Sequence, residues 1–63
     1  MDKAALRESI AIEDNADCMA MLGDFHEASW LMKQVNAIRA RELGLRGCDP
    51  NILRERTREA LGL

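Results

Sequence analysis

At 63 residues the chain has room for one domain and no more, and a domain of that size hides only about 60% of its unfolded surface. A formal charge of -2 and a sequence pI near 5.2 speak against a basic, general nucleic-acid binder. Phe25 and Trp30 are the only aromatic residues, so the core must be built from Leu, Ile, Met, Val and Ala, which suits helices better than strands.

Helix one is expected over about residues 2–22. Asp2 is its N-cap. Ala5, Ile12, Ala16 and Met19 fall near one stripe, with Leu6 and Ile10 beside it. The weak point is Glu13-Asp14-Asn15, because Asp14 can itself cap a helix and leaves room for a kink or a frayed start. Next comes the most informative stretch of the chain. Gly23 suits the left-handed position just past a helix end. Asp24 caps the next helix, and Glu27 three residues on predicts a reciprocal capping box. Two helices joined this tightly must fold back on each other.

Helix two is expected over about residues 24–43. Phe25, Ala28, Leu31, Met32, Val35 and Ile38 recur at helical spacing and form a broad apolar face. Gly44 stops the helix, and Arg39 and Arg41 sit in its last turns, where cations suit the helix dipole. After a short connection over Leu45-Arg46-Gly47-Cys48, Asp49 and Pro50 make an N-cap and a first helical residue. Helix three then runs over about 50–61, with Ile52, Leu53, Thr57, Ala60 and Leu61 on its apolar side. The fold class is all-α: one domain over residues 1–63, an antiparallel helical hairpin and a short third helix. The wide apolar faces of the hairpin predict a homodimer with a four-helix-like bundle core.

Within residues 9–35, Ala16, Gly23, Phe25 and Ala28 hold a small, a glycine, an aromatic and an alanine position of a helical hairpin. On those residues the segment resembles a single tetratricopeptide unit. It departs from that pattern at Ile12, which replaces an aromatic, and at Asn15, where a large apolar residue is the rule. The resemblance implies peptide or protein binding rather than catalysis.

Candidate chemistry is sparse. His26 is the only histidine, and with Cys18, Cys48 and Asp24 it matches no zinc spacing. Cys18 reads as a small buried residue and Cys48 as an exposed loop thiol. No Ser, Cys or carboxylate forms an evident partner for His26 in hydrolysis. The expectation is therefore a non-enzyme with no metal and no cofactor. Two cysteines make no disulfide framework, and neither a secretory h-region nor an apolar run long enough to span a bilayer is present. The expected setting is the reducing cytoplasm.

What remains is surfaces. Residues 1–32 carry a balance of -5 and residues 33–63 a balance of +3, a polarity that can steer association. Trp30 stands on the flank of the apolar face, and Trp is enriched among interface hot spots. The expected partner-binding residues are Trp30, Met21 and Phe25, with Arg54 and Arg58 orienting the approach. The expected function is a small regulator or inhibitor that docks on another protein and acts sterically. Phage- and plasmid-type anti-defence proteins and antiactivators share this size and composition. A second expectation is a small nucleic-acid-binding regulator using the Arg-rich C-terminal half. There the Gly44–Asp49 bend would serve as a helix-turn-helix and Asn51 as a base reader. A third is a plain oligomerisation module.

Overall fold

Three aspartates start three helices. In the computed structural model, which describes all residues from Met1 to Leu63, the Asp2 carboxylate accepts from the backbone N–H groups of Ala4 and Ala5 at the head of α1 (Lys3–Met21). The Asp24 carboxylate accepts from Glu27 N–H at the head of α2 (Phe25–Leu43). The Asp49 carboxylate accepts from Asn51 N–H at the head of α3 (Pro50–Leu61), with Pro50 first in the helix. Each cap satisfies donors that the first helical turn leaves free. The helix ends are set by Gly23 and Gly44, whose φ values of +85° and +68° are left-handed. That conformation costs any residue with a Cβ about 1–2 kcal/mol.

The expected boundaries hold to within a residue, and no strand forms. The expected weak point in α1 does not break it. The helix runs unbroken through Glu13, Asp14 and Asn15, because Glu13 is held inward by two arginines and Asp14 has no free helix start to cap. The capping box at the bend is half made. Asp24 N–H donates to the Met19 carbonyl across the turn, so the Glu27 side chain is not recruited to it.

Two contacts fix the hairpin register. Asp2 N–H donates to Glu42 Oε1 at 2.9 Å, and Arg39 Nε donates to Ser9 Oγ at 2.9 Å. The helices are antiparallel, and Ile12 lies level with Gln34. Helix α3 rests on one face of this hairpin through Leu53 and Thr57, both buried. The contacts that place it lie in the half away from the bend. Arg54 reaches Glu13, and Arg56, Glu59 and Ala60 border a groove with Met1, Leu43 and Leu45. The molecule measures 32 × 22 × 15 Å. With α3 as the only further element, the opposite face of the hairpin has no helix laid on it.

The core stripe of α1 follows residue type only in part: Leu6 and Ala16 are in it, while Ile12 and Met19 lie to its side. Leu6, Ser9 and Ala16 are buried, with Glu13 and Ala20 half-buried between and beyond them. Ile12 and Met19 are only half-covered. On α2 the buried line is Ala28, Leu31, Val35 and Arg39. Phe25 leaves the apolar face it was expected to join, since as the first residue of α2 it stands at the bend with little helix beside it. Ile52, expected on the apolar side of α3, is exposed as well.

Candidate interaction surface

Arg39 is the largest of the fully buried side chains, at 1% exposure. Its Nε bonds Ser9 Oγ, and one Nη donates to Glu13 Oε1 at 2.9 Å. The other Glu13 oxygen accepts from Arg54 at 2.8 Å. Ser9 Oγ in turn donates to the Leu6 carbonyl. One carboxylate on α1 thus joins all three helices. Burial pushes the Glu13 carboxyl up, but hydrogen bonds and charge from Arg39 and Arg54 outweigh it and hold it below its ordinary value. Nearby, Asn36 Oδ1, the second Nη of Arg39 and Thr57 Oγ1 are buried without a protein partner, a cost that keeps this junction from being strongly stabilising.

This polar junction was not expected from the sequence. By sequence Arg39 reads as a cation matched to the helix dipole, and Glu13 as part of a weak point in α1. The available signal was spacing: Arg39 follows Val35 by four, and Glu13 follows Ser9 by four along the Leu6 stripe.

The five expected partner-binding residues fall on three separate surfaces. Met21 and Phe25 flank the bend and are 89% and 69% exposed. Leu22 between them is 74% exposed, so three large apolar side chains project from one end of the molecule. Trp30 is 55% exposed, and lies about 140° around α2 from Phe25. It belongs to the broad side of the hairpin and not to the bend. Arg54 is tied to Glu13. Arg58 is exposed on α3 with no ion pair.

Of the six arginines in the C-terminal half, Arg39 is buried, and Arg41 and Arg54 are paired with Glu42 and Glu13. Cys18, expected to be buried, is exposed, since it sits about 200° around α1 from buried Ala16. Cys48, expected to be exposed, is half-buried in the loop before α3. His26 is exposed in the first turn of α2. No three His, Cys, Asp or Glu side chains converge to hold a metal ion. No helix is long and apolar enough to cross a membrane. At the end opposite the bend, the groove between Met1, Leu43, Leu45 and Ala60 encloses about 380 Å³ and is rimmed by Arg56 and Glu59.

The chain matches no family model, no curated protein and no solved structure.

Proposed function

We propose that this chain is a protein-binding regulator that acts by covering a surface of its target, with the hairpin bend as its docking end. The observation that carries this reading is the exposure of Met21, Leu22 and Phe25 together. Isolated exposed apolar side chains are ordinary, but three large ones within five residues at one tip form a patch of the kind that marks binding sites. The tip is backed by a capped turn whose N–H groups are bonded, so the side chains ride on a rigid support. Met adapts to a partner surface and Phe supplies an anchor. The acidic exterior of α1, with Glu8, Asp14 and Asp17 exposed, and the free Arg58 on α3 then set orientation and on-rate. Steric action asks for no catalytic group, and a small phage- or plasmid-type inhibitor of a defence or activator protein fits that description.

The experiment is a comparison of partner capture by the intact chain and by Phe25→Asp, with a photo-crosslinker at Met21 and, as control, at Glu55. Partners that crosslink at the bend and vanish with Phe25→Asp support the reading. If every partner survives Phe25→Asp while circular dichroism shows the helices intact, the bend is not the docking end.

A further inference from the structure

The broad face of the hairpin turned away from α3 carries a side-chain order that is self-complementary when reversed. Leu43 borders α3 across the groove, and Gln34 lies about 180° around α2 from it. The stripe centred on Gln34 is therefore the side of α2 that α3 leaves open. Along it, at steps of three and four residues, stand Glu27, Trp30, Gln34, Ile38 and Arg41. An anion sits at one end and a cation at the other. One large apolar residue lies inside each, and an amide holds the centre. On α1, level with Gln34, the same face presents half-buried Ile12, with Ala5 seven residues before it and Met19 seven after.

We propose that a second copy of this chain covers this face, turned end for end about a two-fold axis at the level of Ile12 and Gln34. The rotation sets Glu27 against Arg41 of the second copy, and Trp30 against Ile38. Ile12 meets itself, and small Ala5 meets large Met19. Every pair off the axis occurs twice, as an isologous interface requires. The two charges are free to serve. Glu27 is not used by the half-made capping box, and Arg41 spends only its Nε, on Glu42. The opposite sense, with both bends at one end, would set Glu27 against Met19 and Ile38 against Glu8, pairing neither charge. The extents of the molecule limit the covered footprint to about 700 Å² per chain, enough for a specific but concentration-dependent dimer. Met21 and Phe25 point away from this face, so the dimer leaves both bends free at opposite ends and stands apart from the docking reading above.

The test is sedimentation from about 1 µM to 1 mM, read beside the emission of Trp30, the sole tryptophan. The expected result is a rise from the 7.1 kDa monomer mass to twice that value, with Trp30 emission moving to the blue in step. Glu27→Arg and Arg41→Glu should each weaken association about tenfold, and the double exchange should restore it. Both exchanges put the wrong sign at a helix end, so restoration in the double variant cannot come from a better fold. Gln34→Lys leaves the helix ends alone, sets a cation against its own copy, and should also dissociate the dimer. Met21→Ala with Phe25→Ala should leave the mass unchanged. A monomer at every concentration overturns the proposal. So does a dimer indifferent to the exchanges, or one that the double variant fails to restore.

Discussion

The junction at Glu13 and the tip at the bend invert the usual rule of apolar inside and charged outside. At the junction an arginine is buried and two charge-assisted bonds cross between helices. At the tip, three of the largest apolar side chains face water. The junction ties the three helices to one another, and losing one partner there strands the others. The tip contributes little to this tie and is available for something else. On the proposed reading the contrast separates stability from recognition within a molecule only 32 Å long, and it predicts that substitutions at the two places will have opposite signatures.

The largest effect is expected from Glu13→Ala. Removing the carboxylate leaves Arg39 buried without its counter-charge and cuts Arg54 loose from the hairpin. Breaking a buried pair from one side costs about 3–5 kcal/mol. A chain of this size, at roughly 0.1 kcal/mol per residue, has little more than that in total. Urea or thermal unfolding followed by circular dichroism should show a variant that has lost most of its stability and unfolds at a much lower midpoint. Arg39→Met should cost less, because an apolar side chain of similar reach replaces the cation and Glu13 keeps Arg54. Equal losses for the two would mean that the junction is packing and not electrostatics.

A finer version of the same comparison uses pH. The Glu13 carboxyl is held below its ordinary value of 4.5 in the folded chain, so the folded state keeps its charge to lower pH than the unfolded one. The stabilisation is fully present above about pH 4.5 and is lost as pH falls through the folded value. Glu42, lowered by the Asp2 backbone N–H and by Arg41, acts in the same direction. The wild-type chain should therefore lose stability progressively below pH 4.5. Glu13→Gln should be less stable at neutral pH and show a flatter acid limb. An unchanged limb would move the acid sensitivity to other carboxylates.

How far the sequence discloses all this differs between the two regions. The bend is local: Gly23, Asp24 and the flanking apolar residues act through backbone geometry within a few positions, and φ, caps and boundaries follow directly from residue types. The same holds for Gly44, Asp49 and Pro50. The junction is not local. Ser9, Glu13 and Arg39 face inward only because they meet one another, with exposed Arg54 reaching in to Glu13, and each taken alone looks like surface. Sorting α1 by hydrophobicity therefore selected Ile12 and Met19, while the true core line ran through Ser9 and Glu13. The residues expected to bind a partner show the same limit. Trp30, Met21 and Phe25 were each recognisable as unusual, but only the three-dimensional placement divides them between the bend and the open side of the hairpin.

The smallest effect on stability is expected where the effect on recognition is greatest. Phe25→Ala and Met21→Ala remove side chains that are already mostly in water, so unfolding should shift by no more than about 0.5 kcal/mol. Neither residue lies on the buried lines of α1 or α2, and neither supplies a cap: Asp24 keeps its bond to Glu27 N–H and Gly23 its turn. A loss of more than about 1 kcal/mol would mean that the tip closes the end of the core, and the separation between the two regions would fail. An unchanged unfolding curve combined with lost target binding would place recognition at the bend. Trp30→Ala serves as the internal comparison. If binding to the target needs Trp30 as well as Phe25, the target reaches around the hairpin and competes with the second copy. Target affinity should then fall as the chain is concentrated into dimer.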